Sequence, residues 1–330
     1  MAYTTIDDPG EFFENTLYTG NSTGITTGME ADLLWIKGRN TARPHVVFDT
    51  VTTSDFASGN SRYWVTGTNA AFSTNKTDQI TSVTSTGFVM GTDASSDQIN
   101  GNGQTTVAYT WKESVTSGFD IVSYTGNGSA RTISHSLSAV PEWMMIKKIS
   151  GTDAAAIYNG ANGNTNGLIL DGTGGNDDET YWNDTTPTSS VFSLGTLSNV
   201  NENTATYIAF LFAPKQGYSS FGVYSGNGNA NGTYVHLGFK PAWLLIKRVN
   251  ASGDQWQLSD SVRGVNGAIK TLYPDSAEVE TSTDSIDHLS NGFKLRNTSV
   301  ARNGSGSTYV YFAFAESPFV NSKGVPNNAR

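Results

Sequence analysis

Val223-Tyr224-Ser225-Gly226-Asn227 is the third statement of a phrase that stands earlier as Ser123-Tyr124-Thr125-Gly126-Asn127 and first as Leu17-Tyr18-Thr19-Gly20-Asn21. Downstream of each comes an apolar run closed by lysine: Leu33-Leu34-Trp35-Ile36-Lys37, Trp143-Met144-Met145-Ile146-Lys147 and Trp243-Leu244-Leu245-Ile246-Lys247. A third landmark follows, at Gly87-Phe88, Val191-Phe192 and Gly292-Phe293, and each unit ends on an aromatic run, Val107–Trp111, Ile208–Phe212 and Val310–Phe314. Four landmarks in one order, three times, define a tandem repeat. Its period is 106 residues from Tyr18 to Tyr124 and 100 from Tyr124 to Tyr224. Units of that length are far longer than solenoid repeats and can each hold a core.

The closing runs are short, continuous and rich in β-branched and aromatic residues, the pattern of strands covered on both faces. Turn punctuation separates the runs, at Ser58-Gly59-Asn60, Gly160–Gly163, Asp171–Gly175 and Asn303–Gly306. No segment keeps a helical period over twelve or more positions, although Ser261–Pro274 has room for one helical turn. The reading is an all-β chain of three β-sandwich units, jelly-roll or lectin-like, spanning residues 1–114, 115–216 and 217–330, with each sandwich folding independently.

Composition narrows the function classes. Net charge is −9, only 15% of residues are charged, and no basic stripe is present, which argues against a phosphate-backbone partner. Cysteine is absent, so stability must come from packing alone. No apolar run reaches the length of a membrane span, and the first residues have no basic-then-apolar leader pattern.

Several motifs invite a chemical reading. Gly20-Asn21-Ser22-Thr23-Gly24 fits the nucleophile-elbow pattern, but that motif needs a following helix, and the next unit breaks it at Gly126-Asn127-Gly128-Ser129-Ala130. A hairpin turn explains it better. His135 and His236 occupy matching positions and suit a structural hydrogen bond. The acidic run Asn176–Glu179 lacks the alternating spacing of a calcium loop and reads as solvated loop. Asp49 and Asp260 recur once per unit and suit a local turn or ion pair, not the facing carboxylates of a glycosidase. We therefore assign no catalytic residue, no metal site and no cofactor. Alternate strand residues share a face, which sets Trp35 with Lys37, Trp143 with Lys147 and Trp243 with Lys247. The lysine position is shared by all three units and reads first as scaffold, with the lysine stem covering an indole; the sharper reading makes these six residues the candidate ligand or partner surface, an aromatic platform for a sugar or a partner loop. The segment before the first unit, with Tyr3, Ile6, Phe12 and Phe13, is the candidate attachment segment, expected to be dispensable for folding.

Tyr224–Gly228, His236-Leu237 with Pro241, Trp243–Lys247, Ser259–Gly264 and Asn291-Gly292-Phe293 together resemble a repeat found in virion structural proteins of marine tailed bacteriophages. The second unit keeps Tyr124, His135 and Ile146-Lys147 but lacks the Asp-Ser-Val-Arg element. The first lacks the histidine and keeps Phe48-Asp49-Thr50-Val51. The resemblance implies a non-enzymatic protein on the exposed virion surface, either a capsid decoration or a fibre-like appendage, assembled in the host cytoplasm. Its partners would be other capsid or tail proteins, with the chain present as a homo-oligomer or in many copies on a symmetric lattice. The alternative is a lectin-like tail fibre protein that binds host-surface glycan.

Overall fold

The computed structural model describes residues 3–21, 23–53, 56, 61–76, 78–92, 99–282 and 285–327. The Ser58-Gly59-Asn60 turn and Ser22 of the elbow-like motif lie outside them. Single helical turns stand at Pro9–Glu11, Gly160–Asn162 and Ser198–Asn201, and strands build most of the regular structure of the described residues. Ser261–Ser282 carries no helical turn; Gly264 and Gly267 break the path, and two short strands, Lys270–Thr271 and Thr281–Ser282, follow.

One four-strand pattern recurs in each unit. An opening strand (Phe13–Thr19, Phe119–Thr125 or Ser219–Ser225) pairs with the closing strand (Thr105–Trp111, Thr206–Phe212 or Thr308–Pro318). The closing strand pairs with the lysine strand (Leu33–Gly38, Trp143–Lys148 or Phe239–Arg248), which pairs with a return strand (Val46–Asp49, Ala156–Asn159 or Gln257–Asp260). All these pairings are antiparallel. A smaller outer sheet carries the third landmark of each unit: Gly87–Met90 with Gly24–Thr26 and Ile80–Thr84, Val191–Leu194 with Arg131–Ser134, and Gly292–Leu295 with Tyr234–His236 and Ile286–Leu289.

Alternation along the lysine strands divides the side chains between two cores. Leu34 and Ile36, Met144 and Ile146, and Leu244 and Ile246 point outward into a separate core beneath each outer sheet. The opposite faces, with Trp35, Trp143, Met145, Trp243 and Leu245, enter one cluster common to all three units. The indoles of Trp143 and Trp243 stack at 5.9 Å between centroids, Trp111 meets Trp243 edge-on at 5.7 Å, and Trp111 reaches Phe212 at 6.5 Å. Each pair of units is therefore in direct aromatic contact. The expectation of independent sandwiches is corrected here: a unit removed from the others would expose its inner face, and each large apolar side chain uncovered costs roughly 1.5–3 kcal/mol.

The repeated phrase has a mechanical origin. The hydroxyls of Tyr18, Tyr124 and Tyr224 each donate, at 2.7 Å, to a carbonyl in the loop before the closing strand: Ile99, Val200 and Arg302. Each tyrosine ring meets the landmark phenylalanine of its outer sheet edge-on, at 6.4 Å for Phe88, 6.2 Å for Phe192 and 5.7 Å for Phe293. Two residues on, Gly20, Gly126 and Gly226 lie so close to the backbone at Gly101, Glu202 and Gly304 that a Cβ would collide with it. Tyrosine ties the loop down, and glycine admits it.

Candidate functional site

The six Trp/Lys residues form no surface. Trp35, Trp143 and Trp243 are enclosed in the common core, and Lys37, Lys147 and Lys247 have no exposed area at all. Each ammonium sits at the end of its strand and donates to carbonyls of the turn that follows: Lys37 Nζ to Gly38 (2.8 Å) and Arg43 (2.6 Å), Lys147 to Asp153 (2.5 Å), and Lys247 to Asp254 (2.6 Å). Each also reaches another unit. Lys37 approaches the Ala277 carbonyl of the third unit, Lys247 donates to Thr173 of the second at 3.1 Å, and Lys147 lies 5.4 Å over the Trp64 ring of the first. The three contacts run in a closed cycle. Burial lowers all three ammonium pKa values, Lys37 and Lys247 to about 8. The lysines are scaffold, but the expected indole cover is shown only for Lys147, whose ring belongs to a neighbouring unit; Lys37 and Lys247 are held by carbonyls.

The candidate attachment segment is folded into the body. Ile6 and Phe13 are core residues, and Phe13 begins the opening strand of the first unit rather than preceding it. Phe12 meets the Tyr218 ring edge-on at 6.2 Å, and the Tyr3 hydroxyl donates to the Gly238 carbonyl at 2.9 Å. The Thr4 hydroxyl donates to Gln216, and Asp7 accepts from the amide of Ser322. A free arm is excluded for residues 3–14.

Asp49 and Asp260 perform the same local task, and Asn159 is the third member. Each ends a return strand, and its Oδ1 accepts the amide three residues on: Thr52 (2.6 Å), Asn162 (3.1 Å) and Arg263 (2.9 Å). Burial pushes the Asp49 carboxyl up to about 6. Asp260 instead gains a buried network, accepting from Arg263 Nε at 2.5 Å and from the Tyr109 hydroxyl of the first unit at 2.6 Å. Glu280 extends it by pairing with Arg39 through two bonds of 2.8 and 2.9 Å. These charges lock the seam between the first and third units; none faces an open cleft.

His135 accepts the amide of Leu137 and lies 3.1 Å from the Thr188 carbonyl, a turn contact as its position suggests, whereas exposed His236 meets the Tyr234 hydroxyl at 3.2 Å. Asp177 of the acidic run accepts from the Tyr181 hydroxyl on an exposed loop. Sequence reading passed over His45, which accepts from Trp35 Nε1 at 2.9 Å and is held neutral by burial. It also passed over Asn100, Asn201 and Asn303. Asn201 and Asn303 tie the opening phrase to the loop, each accepting through Oδ1 from Asn127 or Asn227. Their signal was present: an asparagine five residues before the threonine that begins every closing strand.

One concavity stands apart from these tasks. Lys240, Ser261, Gly264, Val265, Asn266, Ile269 and His288 line a cleft of about 280 Å³ on the third unit. The lysine strand is irregular there, with register shifts at Lys240/Pro241 and Pro241/Trp243. Bulges re-aim side chains and gather beside functional sites. Asn266 fastens the far wall, bonding both the amide (2.8 Å) and the carbonyl (2.9 Å) of His288. Burial drops the His288 imidazole to about 4, so it is neutral near pH 7.

Neither the curated proteins nor the solved structures contain a match to this chain. The family described as Domain of unknown function (DUF7483) matches residues 8–318, from the first helical turn to the last residue of the third closing strand. The chain belongs to the DUF7483 family.

Proposed function

We propose that this protein is a non-enzymatic structural component on the outside of a tailed-phage particle, a capsid decoration or fibre-like appendage that acts through contacts with other virion proteins. The observation that carries the proposal is the use made of the repeat. The landmarks that resemble virion repeats are consumed by construction: tyrosines and glycines fasten loops, while tryptophans and lysines close a common core. Such a body holds its outer sheets and polar loops in fixed relation, which suits many copies repeating one contact on a lattice, where multiplicity strengthens modest interfaces. The compact common core favours a knob over a slender stalk.

Particles assembled without the protein provide the test. Added back, the purified chain should bind the exterior and saturate at a fixed copy number per particle, read by gel densitometry and by density in averaged images. No saturable binding, or cleavage of a surface polysaccharide lost on changing one carboxylate, would overturn the proposal.

A further inference from the structure

The loop Ser261–Ile269 is held more firmly than a surface connection requires. Asp260 accepts the amides of Val262 and Arg263, and the Arg263 guanidinium is fully buried against Asp260 and the Leu258 carbonyl. Gly264 passes so close to the Ala268 carbonyl that no Cβ fits. Asn266 is stapled to His288. Two groups on this rigid loop have no such duty. Val265 stands 70% exposed at the rim of the cleft, and the Ser261 hydroxyl makes no hydrogen bond among the described residues. A rigid loop that holds an apolar side chain out beside an idle hydroxyl has the form of a prepared contact, because preformed walls lower the ordering cost of binding.

The lining specifies what would fit. Val265 supplies the exposed apolar wall, with buried Ile269 behind it and Ser261 and Lys240 as polar groups beside it. Lys240, on the rim, pairs with Glu316 at 2.6 Å, so its ammonium is not a spare cation. With a net charge of −9 on the chain, an anionic ligand would be repelled. The volume lies just under the roughly 300–1,000 Å³ of pockets for drug-sized molecules.

We propose that this cleft binds one neutral sugar ring, its C–H face on Val265 and its hydroxyls on Ser261 and Lys240. The Asp-Ser-Val-Arg-Gly stretch that builds it is missing from the second unit, and the first keeps only Phe48-Asp49-Thr50-Val51. Binding therefore belongs to the third unit alone. The proposal does not depend on a place in a virion and stands or falls separately from it.

Methyl glycosides of glucose, galactose and mannose, with glucuronic acid as the charged comparison, can be titrated into the full chain by saturation-transfer NMR. At least one neutral glycoside should bind with a Kd on the order of millimolar, and glucuronic acid more weakly. Val265→Asp, on an exposed position, and Lys240→Ala, at the rim, should each weaken binding about tenfold or more with the melting temperature unchanged. Absence of binding by all three neutral glycosides at about 50 mM, tighter binding of the acid, or binding untouched by both substitutions would overturn the proposal.

Discussion

Asp49, Asn159 and Asp260 stand at one position of three units and answer the same need, an acceptor for the amide three residues on, with different charge. Asp260 has Arg263 beside it; Asp49 has hydroxyl and amide donors from Thr52. Burial raises the Asp49 carboxyl from 3.8 to about 6, so its contribution to stability is fully present below pH 3.8 and is lost as pH rises through 6. Asp49→Asn keeps the turn acceptor and removes the buried charge. At pH 8 it should raise unfolding stability by about 2 kcal/mol, within the roughly 3 kcal/mol that a two-unit shift allows. At pH 4 it should change little, and urea denaturation at the two pH values measures the difference. The glycines that follow the tyrosines carry a second prediction. Gly126→Ala would drive a methyl into the Glu202 carbonyl and should cost about 2 kcal/mol or more by thermal melting, in the range of a strained backbone contact. The recurrence of these aspartates and glycines was legible in the sequence. Their partners were not, because the carbonyl that a tyrosine reaches lies some 80 residues further along the chain.

Strand identity followed from pattern, and the continuous apolar runs correctly signalled burial on both faces. What covered the second face was hidden, since alternation reports that a face is covered and not by what. Lysine is ambiguous for the same reason. Lys37, Lys147 and Lys247 mark an exposed strand end by residue type, yet turn carbonyls supply their partners inside the protein. The first ten residues carry no periodic signal, yet Ile6 joins the cluster common to all three units, with Tyr3 and Thr4 beside it tied to Gly238 and Gln216. Deleting residues 1–10 removes Ile6 and the bonds of Tyr3, Thr4 and Asp7 to the third unit and the linker before it. The truncated chain should melt several degrees lower, consistent with a loss of about 2–4 kcal/mol, and should be cut faster by protease near Gly217 and Gly238. An unchanged melting temperature would contradict the docking described above.

A common core binds the three units into one cooperative body. Trp243 touches Trp35, Tyr109, Trp111 and Trp143, so Trp243→Ala should cost about 3–5 kcal/mol and lower a single calorimetric transition rather than split off one third of it. The buried titrating groups shape the pH response of the whole. Asp171 and Asp275, raised by burial to about 6 and about 7, withdraw stability as pH climbs through those values. Lys37 and Lys247, lowered to about 8, lose stability as pH falls through 8 and restore it toward pH 10. The melting temperature should therefore pass through a shallow trough between pH 7 and 8, where many domains are near their maximum. One last feature changes how the chain itself can be regarded. The Tyr3 hydroxyl and the amide of Phe319 donate to the same Gly238 carbonyl, and Asp7 holds the amide of Ser322. Residues 3–7 and 319–322 thus lie side by side on the third unit, and the lysine contacts run in a cycle through all three units. That adjacency allows a new connection: a circular permutant of residues 1–330 that joins these two segments through a short glycine-serine link and begins at exposed Thr116 should refold to the same body with one transition.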